Sequence, residues 1–187
     1  MQMTYNKNAV DKVGWSYCVQ AVAMAQEMDL FSTWHKSRSK KWRIVQTMTA
    51  WGLFTWQGQV LPCNKACIIN ELSSTCCFHF EKPPLLTMLP DLPLLDDLAD
   101  YGEIWVKYPS AGSPLPLHYG QLFKAVIEFR TILHDVAYHS FDHSRSKDRI
   151  SLQQAMEYRS RLGQWYEHLP DPLTPQNLVL PIHFQLQ

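Results

Sequence analysis

The chain has no excess of charge of either sign. Lysine plus arginine and aspartate plus glutamate each number 17, so the formal net charge is zero. Such a balance gives no global attraction to nucleic acid or to an anionic membrane. Long apolar runs are missing too. Nothing approaches the roughly 20 consecutive apolar residues of a membrane-spanning helix, and Met1-Gln2-Met3-Thr4-Tyr5-Asn6-Lys7 holds no apolar signal-peptide core. The phosphate-cradling GxGxxG and P-loop patterns are absent, as are GxSxG and HExxH. No Cys–His pair sits in a nucleophile context, and no internal repeat is present. The five cysteines are an odd number without a secretory signal. Reduced thiols in a nuclear or cytosolic compartment are therefore expected.

What the chain does have is aromatic bulk. Phe, Trp and Tyr make up 12% of its 187 residues, with seven Trp, enough to fill the core of one domain. Two stretches stand out. They are Ala50-Trp51-Gly52-Leu53-Phe54-Thr55-Trp56-Gln57-Gly58 and Leu162-Gly163-Gln164-Trp165-Tyr166-Glu167-His168-Leu169-Pro170-Asp171-Pro172-Leu173. Neither offers a nucleophile, a metal nest or a phosphate loop, and both are built for packing. One local basic stretch, His35-Lys36-Ser37-Arg38-Ser39-Lys40-Lys41-Trp42-Arg43, reads as a solvated loop and helix start. Its sharper reading, a phosphate-contacting patch, needs a fold that presents it.

Periodicity gives an all-α chain, an irregular multi-helix bundle with a long proline-rich connecting arm. Val13 to Phe31 reads as a helix that buries Val22, Met24, Ala25, Met28 and Phe31. Arg38 to Val60 reads as a second, with Ile44, Met48 and Trp51 stepping by four and three. Leu53, Phe54 and Trp56 widen its apolar surface, so this helix is expected to be central. Seven of the twelve prolines lie from Pro83 to Pro116. They exclude a long regular element, leaving an extended arm across the helices with a short ordered piece around Tyr101 to Tyr108. Leu117 to His139 reads as the clearest helix, with Leu122, Val126, Phe129, Leu133 and Val136 along one seam. Its short repeat fits a packed bundle helix better than a coiled coil. Ser151 is the expected N-cap of a helix to Leu169, burying Leu152, Ala155, Leu162, Trp165 and Leu169 and pairing Glu157 with Arg161. Pro170 and Pro172 stop it. Pro175 opens a last helix, and no strand pattern competes. The divisions are 13–60 for a helical pair, 61–116 for an insertion and arm, and 117–187 for a second helical part.

Two clusters could carry chemistry. Cys63, Cys67, Cys76, Cys77 and His79 hold enough ligands for zinc, yet Cys-x3-Cys followed by a Cys-Cys pair lacks the CxxC knuckles of a structural site. Free thiols are expected there. His134-Asp135, with His139, Asp142 and His143, has the His-Asp pair of a metal-dependent phosphohydrolase. Such an enzyme also needs ligands from other helices, whereas His35, His79 and His118 fall in expected loops. The plainer reading is a helix end whose histidines meet free carbonyls. Trp51, Trp56 and Trp165 could also line a small-molecule pocket, but core packing is the expectation for each.

The chain resembles the fungal-specific transcription factor regulatory region, the middle homology domain that accompanies binuclear zinc-cluster DNA-binding domains. The residues that carry the resemblance are Ala21 to Phe31, the basic loop and then Ile44 to Gly58. They continue with Phe78-His79-Phe80-Glu81-Lys82-Pro83-Pro84-Leu85 and Leu89-Pro90-Asp91, and close with Leu162 to Pro175 and Leu180-Pro181-Ile182-His183. Together they cover most of residues 14 to 187. The most specific part is the closing order: leucine, tryptophan, leucine-proline, then proline and a leucine-rich helix.

The resemblance implies an all-helical, non-enzymatic regulatory domain in the nucleus. Its partners would be co-regulator proteins or the transcription machinery, with metabolite sensing as an added role. A homodimer and specific DNA binding would belong to the parent protein, and zinc only to a DNA-binding domain not in this chain. No catalytic, cofactor-binding or metal-ligating residue carries over; Trp51, Phe54, Leu162, Trp165 and Leu169 are the expected structural core. The family's six-cysteine cluster is absent, and the chain ends at Gln187 inside the helix expected to begin near Pro175, where the family continues into further helices, so a fragment with exposed apolar surface is expected. Val60 to Cys76 interrupts the family's order between the tryptophan helix and Phe78. A translated intron is the hypothesis that accounts for it, and a cDNA carrying the whole segment would contradict that.

Overall fold

The computed structural model describes residues 11–33, 39–57, 84–107, 112–141, 150–178, 180 and 183. Four helices dominate it, and helix holds 65% of those residues. The cysteine–histidine cluster from Cys63 to His79, the segment 60–76, His35 to Arg38, and Asp142 with His143 lie outside the described residues.

The proline-free stretch from Asp11 to Gln57 supplies two helices, α1 (Asp11–Glu27) and α2 (Lys40–Gln57). The exit from α1 is a Schellman-type turn. Asp29 takes the left-handed conformation at φ 53, and Leu30 N–H reaches back to the Ala25 carbonyl at 3.0 Å. Gln46 of α2 donates its amide to the carbonyls of Leu30 and Ser32, both at 3.2 Å, which ties the turn to the second helix.

The arm is a core element in its own right. Pro84, Leu86, Pro90, Leu92 and Leu95 are buried along it. The arm's backbone groups find partners outside a regular ladder. Asp91 N–H donates to the Phe31 carbonyl at 2.8 Å, Leu95 N–H to the Tyr101 hydroxyl at 2.9 Å, and the Trp51 indole to the Leu92 carbonyl at 3.0 Å. A 3-10 turn at Leu98–Tyr101 is capped by Asp97 and released by Gly102 at φ 74. It lies so close on the next helix that a Cβ at Gly120 would meet the Leu98 carbonyl at 3.0 Å.

The reading without strands is corrected by a small antiparallel ribbon, β1 (Trp105–Lys107) and β2 (Pro114–Pro116), with Val106 opposite Leu115. Alternate residues of a two-stranded ribbon turn their amides outward, so Pro114 and Pro116 are tolerated. The short repeat gives no periodic signal in the sequence.

Helix α3 (Tyr119–Phe141) follows and α4 (Leu152–Glu167) packs on it. Ser151 caps α4 as expected, in a full capping box with Gln154. Among the described residues, the last expected helix is a 3-10 turn at Pro175–Asn177.

Two apolar clusters meet on α3. Val22, Trp51, Phe54, Leu86, Leu95, Tyr101, Phe123 and Ile127 form the first. Leu117, Leu122, Ala125, Leu169, Leu173 and Leu180 form the second. Four departures from the expected packing accompany this arrangement. The central helix is α3 and not α2, whose Trp56 is exposed. On α3, Val126, Phe129, Leu133 and Val136 are only half-buried, because the helix buries two stripes instead of one seam. On α4, Leu152 and Ala155 are exposed and Leu162 half-buried. Trp165 meets Ala125 and Phe129 while Tyr158 meets His139, so this register carries Leu152 past Phe141, where α3 ends. On α1 the inward stripe is Cys18, Val22 and Ala25, and the expected Met24 and Met28 lie beside it in solvent.

Candidate functional site

The His134–Asp135 pair stands near the end of α3, where α4 and the arm converge. The His134 side chain is buried, and its Nε2–H donates to the Leu86 carbonyl at 2.7 Å. Its Nδ1 is buried without a hydrogen-bond partner and lies 3.9 Å from Asp135 Oδ1. The ring sits beside Phe54, with centroids 5.4 Å apart. Asp135 turns its other oxygen to α4, where Arg161 Nη2 donates at 2.8 Å. The sequence pairing of Glu157 with Arg161 is thus replaced by a bond between helices. The His134 ring beside it holds the Asp135 carboxyl below the usual carboxylate range; partial burial opposes this and Arg161 reinforces it.

One turn on, the His139 Nδ1–H donates to the Asp135 carbonyl at 2.7 Å and lies 3.0 Å from the Tyr158 hydroxyl. Burial first, and then the Asp135 charge, push the Tyr158 phenol up. The guanidinium of Arg161 lies 5.7 Å from the centre of the Tyr158 ring. Each of these side chains therefore bonds within the protein. As a unit they clamp the arm and α4 onto α3, a positioning function for which neither distance nor partner was readable in sequence. Among the described residues no group of three or more His, Cys, Asp or Glu side chains could hold a metal ion.

A second buried histidine, His183, entered the sequence reading only as part of the closing stretch of the resemblance, with no role. His183 donates Nε2–H to the Leu117 carbonyl at 3.0 Å and closes the C-terminal segment over the start of α3. No local pattern marks it, since its partner is 66 residues away. Beside that start, Leu98, Ala99, Gly102, Glu103, His118 and Gln121 line an open cleft of about 340 Å³. Trp51, Trp56 and Trp165 take no part in its wall. Glu103 is engaged there, accepting from the Tyr119 N–H at 3.3 Å.

The five expected core residues divide. Trp51, Phe54 and Leu169 are buried. Trp51 and Phe54 meet edge to face at 5.5 Å. Trp165 is half-buried, stacked on Phe129 at 4.9 Å and donating its indole N–H to the Ala125 carbonyl at 3.0 Å. Leu162 is half-buried. No helix among the described residues is long and apolar enough to cross a membrane. No family model, curated protein or solved structure matches the chain.

Proposed function

We propose that the chain is a helical regulatory domain of a fungal transcription regulator, acting in the nucleus through contacts with co-regulator proteins or the transcription machinery. The observation that carries this reading is the role of the two tryptophans in the stretches that bear the resemblance. Trp51 and Trp165 each hang an indole N–H on a backbone carbonyl of another segment, Leu92 and Ala125. Those stretches hold together parts of the chain about 40 residues apart, which is what a scaffold presenting surfaces requires. Specific DNA recognition, with its zinc, is assigned by the same resemblance to a zinc-cluster domain of the parent protein. The phosphohydrolase alternative draws less support, because His134 and Asp135 are already bonded to Leu86 and Arg161.

Fusing the chain to a heterologous DNA-binding domain and measuring reporter transcription tests the proposal. Reporter output is expected to change relative to the DNA-binding domain alone, with the tagged chain in the nucleus. A folded nuclear fusion that leaves the reporter unmoved would defeat the reading in favour of a helical interaction module without a transcriptional role. Bound metal, with phosphatase activity lost in Asp135→Ala, would transfer support to the hydrolase.

A further inference from the structure

The open cleft beside the start of α3 is walled by residues that burden the fold. One wall is the 3-10 turn at Leu98–Tyr101 with Gly102 and Glu103, and the other is His118 with the first residues of α3. The close approach of Gly120 to the Leu98 carbonyl sets the two walls against each other. At about 340 Å³ the cleft has the volume of roughly eleven waters in the liquid, within the range of small-molecule sites.

His118 holds the N-cap place of α3, since its carbonyl accepts the first helical bond, from the Leu122 N–H at 2.9 Å. That place ordinarily takes an extended Ser, Thr, Asp or Asn whose side chain caps the helix. His118 is instead left-handed, at φ 52, a conformation unfavourable for a residue with a Cβ. Glu103, from the opposite wall, supplies the acceptor. Its Oε1 takes the Tyr119 N–H at 3.3 Å and the Ile104 N–H at 2.9 Å. This leaves Oε2 of an exposed carboxylate and the His118 ring to the cleft. Gln121 adds a second cost, an amide oxygen buried with no hydrogen-bond partner. An apolar side chain of the same length would avoid it. Stability alone favours glycine at the first position and an apolar residue at the second. Strained and unsatisfied groups of this kind gather where ligands bind.

The wall chemistry selects the ligand class. Glu103 brings a carboxylate, and none of the wall residues is a lysine or arginine. Gln121 brings an acceptor that lacks a donor. A swing of its side chain toward the cleft lets an N–H donor bound there take it. Leu98 and Ala99 give an apolar side for a short hydrocarbon. We propose that the cleft binds a small organic ammonium compound. Its ammonium group lies against Glu103 Oε2 and the Gln121 amide oxygen, and its carbon skeleton against Leu98 and Ala99. This site does not depend on the regulatory role proposed above.

The test titrates the full, isotopically labelled chain with phenethylamine at neutral pH. Its uncharged counterpart phenethyl alcohol and the anion 3-phenylpropionate run in parallel. Amide NMR signals of Gly102 and Gln121 are expected to shift saturably with phenethylamine, with a Kd of about 1 mM or tighter. The indole signals of Trp51 and Trp165 are expected to stay in place. The alcohol is expected to bind at least about fivefold more weakly, and the carboxylate more weakly still. Glu103→Gln keeps an acceptor for the Tyr119 N–H and is expected to weaken phenethylamine about fivefold. Gln121→Met keeps the length of the side chain and is expected to weaken it about threefold. Its melting temperature is expected to be unchanged or higher, whereas loss of a glutamine that serves the fold would lower it. No saturable shift with phenethylamine, equal binding of the alcohol, shifts centred away from the cleft, or indifference to Glu103→Gln overturns the site. A lowered melting temperature in Gln121→Met overturns the role given to its amide. Tighter binding of the carboxylate than of the amine overturns the ligand class in favour of an anion.

Discussion

Asp135 shows how one side chain acquires its role from elements far away in sequence. Its carboxylate faces His134 on its own helix and Arg161 across the interface, and its acidity is strengthened accordingly. A carboxyl whose pKa is lower folded than unfolded stabilises the protein above the unfolded value, about 3.9. That contribution is lost as the pH falls through the lower folded value. Asp135→Asn is therefore expected to flatten the acid limb of the stability profile. Urea titrations at pH 7 and at about pH 3 measure this, and an unchanged difference between the two would show that the carboxylate has no part in it. Cys18 makes the opposite case. Burial pushes its thiol up to about 11 from 9.0, so its thiolate population at pH 8 is about a hundredfold lower than in an unfolded chain. Native Cys18 is expected to resist iodoacetamide, with labelling followed at its own peptide by mass spectrometry, and to react fully in denaturant. Rapid native labelling would place the thiol in solvent. A raised thiol pKa also means that its stabilising effect is whole below about pH 9 and declines between there and about 11.

Elements were legible in sequence where their signals are local. Ser151 and Gln154 lie within one turn of each other, so half of the capping box is legible from sequence as an N-cap. Ser151→Ala is expected to cost about 1 kcal/mol, read from the shift in a urea midpoint. A cost near zero would mean that the first turn of α4 frays in the native state. Proline spacing likewise announced an extended arm. The faces of the helices were harder, because burial is set by partners and not by period alone. Met24, Met28, Leu152 and Ala155 all sit where an apolar stripe predicts burial, and all face solvent. Met24 and Met28 lie beside the stripe that α1 turns inward, and Leu152 lies past the end of α3. The ribbon at Trp105–Lys107 and Pro114–Pro116 escaped notice because prolines argue against strands until the outward edges of a two-stranded pair are considered. The clamp around His134 was visible as a cluster but not as a clamp. Its key acceptor is the main-chain oxygen of Leu86, 48 residues earlier, and a backbone atom has no sequence signature.

At the scale of the molecule, α3 decides whether the two clusters stand or fall together. Phe123 and Ile127 serve the first, while Leu122 and Ala125 serve the second from adjacent positions on the same helix. A change that loosens either cluster shifts the backbone that both share. Trp51 is 7% exposed and carries the arm through its bond to Leu92. Leu173 is fully buried in the other cluster. Trp51→Ala is expected to cost about 3–5 kcal/mol and Leu173→Ala about 2–5 kcal/mol. Losses of that size are a large fraction of the stability of a domain this small. The discriminating measurement is native-state hydrogen exchange of the amides around Ala50 to Phe54 and around Leu162 to Trp165 in each variant. With α3 as the common wall, Leu173→Ala is expected to accelerate exchange in both segments by similar factors, and Trp51→Ala to do the same. Selective loss of protection around Leu162 in the first variant and around Ala50 in the second would instead establish two independently melting halves. In that case the arm and α2 would survive as a unit without the C-terminal segment, and α3 would be a support for each half without coupling them.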